Sequence, residues 1–200
     1  MSLTVNGQSA AKYDPISEGT HLAVCNMLVD LGMQKSEVYG NSSKKIRIGW
    51  EITDETIELD DGPKPRTISK NYTATLDERG NLRKDLAAWR GRDFTPEELA
   101  GFDLKNIVGK SCLINIVHGK GQNGNVYANV GNVMALPKGM TPAKLSEPAV
   151  VFDLDNDPLE KIDTLPKFLQ EMIRKSSTYE ERLNAPVQLK EIQDDGELPF

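Results

Sequence analysis

Side chains able to do chemistry are few and scattered in this chain. Its only histidines are His21 and His118, and its only cysteines are Cys25 and Cys112. His21 and Cys25 stand four apart on a stretch that reads as a strand, which separates them by about 13 Å, too far to share a metal. Asp153, Asp155 and Asp157 have the spacing that opens a calcium loop, but the glycine and distal glutamate that complete such a loop are out of place. Gly119-Lys120-Gly121-Gln122-Asn123-Gly124 satisfies GxGxxG and follows a strand-like run. A dinucleotide site needs a helix next, because the helix N-terminus holds the pyrophosphate; here Val126-Tyr127-Ala128-Asn129-Val130 continues as a strand. The patterns GxSxG, HExxH and GxxxxGK[ST] are absent. The expectation is a protein that is not an enzyme and uses neither a cofactor nor a metal.

One chemistry does have its residues. Binding a single nucleic-acid strand needs cations for phosphates and aromatic faces on which bases stack. Lys44, Lys45 and Arg47 open one strand-like segment, Arg66, Lys70 and Tyr72 lie on the next, and Lys120 and Tyr127 flank the glycine-rich loop. Stacking contributes roughly 1–3 kcal/mol per base, so two or three aromatics suffice beside phosphate contacts. Tyr72 and Tyr39 are the better stacking candidates, because alternation groups Trp50 with Ile46 and Ile48 on a core face. Arg83-Lys84 and Arg90-Gly91-Arg92 read as an ordinary solvated face.

The elements that must position these groups follow from periodicity. Thr20–Asp30 is apolar on nearly both faces, as a well-covered central strand would be. Gly32–Ser43 reads as a loop, with Gly40-Asn41 as its turn. Lys45–Ile52 alternates cleanly, Ile46, Ile48, Trp50 and Ile52 against Lys45, Arg47, Gly49 and Glu51. An acidic strand end and a Gly-Pro turn follow, and Arg66–Leu76 is the third strand. Leu82, Leu86 and Trp89 then recur at helical spacing, with Gly91 as the stop. Thr95-Pro96-Glu97-Glu98 starts a second, short helix. Ser111–His118 and Val126–Leu136 are two further strands.

Three strands, a helical insert and two strands is the order of an OB-fold, a five-stranded Greek-key barrel. The expected fold is thus an all-β core of that type, with strands two and three and the flanking loops as its binding face. The expected divisions are a lead-in (1–19), the barrel (20–140), a connector with a helix over 164–175 capped by Thr164 (141–183), and a flexible acidic tail (184–200). Leu165, Phe168, Leu169, Met172 and Ile173 form one apolar stripe on that helix, suited to the barrel or to a second copy.

Charge divides the same way. Residues 1–140 hold 17 Lys+Arg and 17 Asp+Glu, whereas residues 141–200 hold 7 and 13, so the net charge of −6 lies wholly in the last 60 positions. A neutral body can still present a basic face beside an anionic appendage. Two cysteines within apolar runs read as buried free thiols, which favours a reducing compartment. No run approaches the ~20 apolar residues of a membrane span, and none resembles a signal peptide. The expectation is a cytoplasmic protein.

The last residues are Asp194-Asp195-Gly196-Glu197-Leu198-Pro199-Phe200. This end resembles the C-terminal tip of bacterial single-stranded DNA-binding proteins, an acidic run, an aliphatic residue and Pro-Phe. In that family the tip docks replication, recombination and repair enzymes. The resemblance implies a partner-binding role for Asp194, Asp195, Glu197, Leu198, Pro199 and Phe200. Gly196 interrupts the acidic run, and a helix with a short charged segment stands where that family often has a long linker. The body, over about 13–179, is similar to a family of phage and prophage proteins. The likeness is carried by Lys45–Ile52, Ser69-Lys70-Asn71-Tyr72-Thr73, Asn81-Leu82-Arg83-Lys84-Asp85-Leu86 with Trp89-Arg90-Gly91, and Leu136-Pro137-Lys138-Gly139-Met140. It implies an OB-fold and single-stranded DNA binding in phage replication and recombination inside the bacterial host. An OB-like adaptor that binds only protein is the alternative reading.

Overall fold

A computed structural model describes residues 14–36, 40–121 and 124–185. The chain is mostly β, built on a curled antiparallel sheet of five strands that is compatible with an OB-like core. The strands are β1 (Gly19–Lys35), β2 (Ser42–Leu59), β3 (Gly62–Thr73), β4 (Ser111–Lys120) and β5 (Val126–Met134), in spatial order β3-β2-β1-β4-β5. A short sixth strand, β6 (Val150–Phe152), pairs in parallel with Met27–Val29 of β1. The helices α1 (Asn81–Arg90) and α2 (Pro96–Ala100) lie between β3 and β4, where the sequence places them.

Alternation sorts each strand into an inner and an outer face. Ala23 and Cys25 of β1, Ile46, Ile48, Trp50 and Ile52 of β2, Ile68 and Tyr72 of β3, and Cys112, Ile114 and Ile116 of β4 share one core. Leu82, Leu86 and Trp89 of α1 close it. Trp50 is buried against Trp89, with ring centroids 6.1 Å apart, so it is a core residue as its period predicts. Both cysteines are free and buried, and burial pushes the pKa of the Cys25 thiol up to about 12. Thr95 starts α2 through a complete capping box with Glu98, and Gly91 ends α1 in the left-handed region.

The C-terminal part differs from expectation in its boundaries. The single helix expected over 164–175 is a 3-10 turn (Leu159–Thr164), then α3 (Lys167–Arg174) and α4 (Ser177–Asn184). Thr164 does not cap α3; its hydroxyl donates to the Lys161 carbonyl, and Pro166 holds the cap position. Proline fixes its own φ and lacks an N–H, which suits it to a position where no intrahelical donor is needed. Ser176 caps α4 by accepting from the Tyr179 N–H, so helix continues past the 175 end expected for it. Leu165, Leu169 and Ile173 join Val29, Leu31, Phe152, Leu154 and Ile162 in a second core on the outer side of β1.

The stretch expected as a loop from Gly32 continues β1 to Lys35, with an irregularity between Asp30 and Gly32. Asp30 Oδ1 accepts from the Gly32 N–H at 2.8 Å, and Gly32 has φ +71°. A Cβ there would lie 2.5 Å from Ser176 Oγ and 2.8 Å from a Leu154 methyl. The missing side chain is what lets the turn between α3 and α4 rest on β1. Gly32→Ala is expected to cost about 2–5 kcal/mol, the sum of left-handed backbone and overpacking. Gly40→Ala, also at positive φ but in open space, should lose only the backbone part. Urea unfolding of the two variants measures the difference.

Candidate nucleic-acid interface

The outer faces of β1, β2 and β3 are not equally open. That of β1 is covered by the 3-10 turn, α3 and α4, while β6 extends its edge. At the far end of β2, Glu51 is buried and accepts from both the N–H and the hydroxyl of Ser146, which pins the connector over the strand. Between these covers lies a polar strip of Lys45 and Arg47 on β2 and Ser69, Asn71 and Thr73 on β3. Register pairs Lys45 with Thr73 and Arg47 with Asn71.

The cations of this strip bond only neutral oxygens. Lys45 Nζ donates to Thr73 Oγ1 at 2.7 Å. Arg47 donates to Asn71 Oδ1 at 2.9 Å and to Ser69 Oγ at 2.6 Å, and its Nε–H is buried without a partner. Partial burial lowers the Arg47 pKa from its ordinary value, the direction expected of a cation removed from water. Six of the eight arginines, Arg66, Arg79, Arg83, Arg90, Arg92 and Arg174, have a carboxylate within 4.0 Å. Arg182 donates to the carbonyls of Leu154 and Asp157. Among the described residues Arg47 is thus a guanidinium on the open sheet face that is held rigidly and not neutralised.

The other residues predicted for the interface are dispersed. Lys44 reaches the opposite side, where it bridges Asp30 and Asp155, so its charge is already met. Lys70 and Tyr72 point inward and share Asp85 of α1, each at 2.8 Å. Tyr72 is 3% exposed, which corrects its reading as a stacking platform. It lies an even number of positions from Ile68 and so shares that residue's inner face of β3, while its hydroxyl finds a partner on α1. Burial, then the Asp85 carboxylate, raises the phenol's pKa above its ordinary value.

Arg66 lies across the sheet opening from Tyr127, and both line a cleft of about 320 Å³ between β3 and β5. Arg66 is tied there to Glu55 and to the Asp14 carbonyl. Tyr127 is 46% exposed, and Lys120 lies one rung away on the same hairpin, exposed. Tyr39 and the tip residues Asp194, Asp195, Glu197, Leu198, Pro199 and Phe200 lie outside the described residues.

Residues that sequence reasoning does not assign to the interface also border the strip. A second cleft, of about 610 Å³, is lined by Lys45, Asn71 and Thr73 together with Gln34, Arg79 and Met172. Phe168 of α3 packs its ring over the Arg47 guanidinium, 5.1 Å from carbon to centroid. The helical stripe that contains it is legible in sequence, but not which strand it would meet.

The carboxylates of Asp30, Asp153 and Asp155 come within 4.8 Å of one another. Lys44 binds the first and third and Lys105 the second, so the protein's own ammonium groups answer this charge. Of the aspartates that look like a calcium loop in sequence, Asp153 and Asp155 thereby belong to an internal ion-pair network, and Asp157 pairs separately with Lys161. Compared with known proteins, the chain matches no family model and no curated protein.

The placement of Tyr72 is checked by Tyr72→Phe. Removing a buried hydroxyl bonded to a carboxylate should lower stability by roughly 1–3 kcal/mol and leave any oligonucleotide affinity unchanged. Thermal unfolding and a binding titration on the same variant measure both.

Proposed function

We propose that this protein binds single-stranded DNA without base-specific readout, along the strip of Lys45, Arg47, Ser69, Asn71 and Thr73. The observation that carries the reading is that Lys45 and Arg47 are held on an open sheet face with neutral partners only. Half-buried cations fixed beside hydroxyl and amide groups suit a phosphate backbone, which asks for charge and hydrogen bonds but presents no sequence. Exposed aromatic rings at Tyr127 and Phe168 supply faces for bases.

The spatial order β3-β2-β1-β4-β5 is also the order of an OB-fold barrel cut open between β3 and β5. In that fold oligonucleotides bind on strands two and three. The reading therefore includes a Greek-key OB-fold, a non-catalytic role in phage DNA replication and recombination, and action in the bacterial cytoplasm. Among the described residues no helix is long and apolar enough to cross a membrane. Recruitment of partner enzymes through Asp194, Asp195, Glu197, Leu198, Pro199 and Phe200 belongs to the same proposal. It rests on the chemistry of that segment, a proline-stiffened phenylalanine beside carboxylates, which suits a shallow pocket rimmed by basic residues.

Fluorescence anisotropy with labelled oligo-dT, repeated over a range of salt, tests the function. The expected result is saturable binding whose logarithm falls linearly with the logarithm of salt concentration. Lys45→Gln with Arg47→Gln should reduce the magnitude of that slope by about 1.4, or about 0.7 for each lost phosphate contact. No saturable binding at low salt would leave the protein-only adaptor as the reading, and an unchanged slope in the double variant would move the interface off this strip.

A further inference from the structure

We infer that Phe168 and Arg47 together form a nucleotide subsite, in which the ring stacks on a base and the guanidinium meets a phosphate. This rests on the proposed single-strand binding and extends it to a helix outside the five-stranded sheet. Three observations lead to it. Phe168 is the one residue of the α3 stripe that leaves the second core. Leu169 and Ile173 are fully buried, whereas Phe168 remains 49% exposed. A phenylalanine that open to water gains little from burial, so the hydrophobic effect does not account for its place.

The ring is also fixed. α3 is anchored by Leu169 and Ile173 against β1, and Gln34 of β1 donates to the Met172 carbonyl at 2.9 Å. Arg47, which pairs in register with Val29 of β1, packs against the ring, with its two terminal nitrogens held by Asn71 and Ser69. A platform held in this way loses little freedom when a base stacks on it. Finally, the guanidinium has no carboxylate partner among the described residues, and its buried Nε–H has no acceptor. A cation short of acceptors beside a half-exposed ring matches the two halves of a nucleotide, an anion and a flat π surface.

The surroundings agree with a strand passing this point. Lys45 lies two residues from Arg47 on the same face of β2, and the cleft it lines reaches Met172 on α3 and Arg79 near the start of α1. α3 is thereby one wall of the track and the β2–β3 strip its floor. The C-terminal segment would contribute a contact to DNA as well as covering β1.

Two variants of the full chain test this with oligo-dT as the probe. Phe168→Leu keeps an apolar side chain of similar reach and removes the π face; the expected result is binding weakened by about tenfold, within the span of one base–aromatic stack, with an unchanged melting temperature. Phe168→Trp keeps the face and adds a fluorophore. Trp50 and Trp89 are buried, so quenching by oligo-dT that appears in this variant and not in the parent reports a base on the new ring. Parent-like affinity in Phe168→Leu together with unquenched Phe168→Trp would overturn the subsite while leaving single-strand binding in place. Weaker binding in Phe168→Leu without quenching in Phe168→Trp would also overturn stacking, and would reduce Phe168 to a support for Arg47. A parent protein that binds no oligo-dT would remove both the subsite and the function it rests on.

Discussion

The structure depends on one strand being buried from both sides. β1 pairs with β2 along one edge and with β4 along the other, and Met27–Val29, past the end of the β4 ladder, pair with β6. Its inward residues Ala23 and Cys25 belong to the main core, and its outward residues Val29 and Leu31 belong to the second. A strand covered on both faces must be apolar at nearly every position, and Thr20–Asp30 has that composition. The consequence reaches well beyond the strand. Because β1 needs an outer cover, α3 and α4 are integral to the fold, and the open sheet face narrows to β2 and β3.

Electrostatics then selects within that narrowed face. Three of the six basic side chains that look available in sequence are engaged internally: Lys44 by two aspartates, Lys70 by Asp85, Arg66 by Glu55. Partly buried ion pairs of this kind hold elements together and offer little further charge to a ligand. Lys45 and Arg47 differ because their partners are hydroxyl and amide oxygens, which orient the cations without neutralising them. The useful distinction on this surface is between paired and unpaired cations. A count of lysines and arginines would miss it.

Short-range features are legible in the sequence. The alternation of Lys45–Ile52 puts Trp50 in the core, helical spacing with Gly91 gives α1 its bounds, and Thr95-Pro96-Glu97-Glu98 gives α2 its cap. Each rests on periodicity or on local backbone chemistry. Tyr72 reads as a stacking residue only when its type is weighed above its alternation with Ile68. The extent of β1 is hidden because Gly32 reads as the start of a loop, when its left-handed backbone instead serves a bulge beneath Ser176. Phe168 and Arg47 meet from distant parts of the chain, and no local signal encodes such a meeting. The pairing of Lys44 with Asp155 is of the same kind.

A single strand running over β2 and β3 beside α3 is tested most directly by photo-crosslinking. Oligo-dT carrying 5-bromodeoxyuridine would be irradiated with the full-length protein, and the crosslinked peptides located by mass spectrometry. Crosslinks are expected in the peptides that contain Lys45, Arg47 and Phe168. Crosslinks confined to the hairpin around Lys120 and Tyr127, or none at concentrations where the oligonucleotide is bound, would contradict that path.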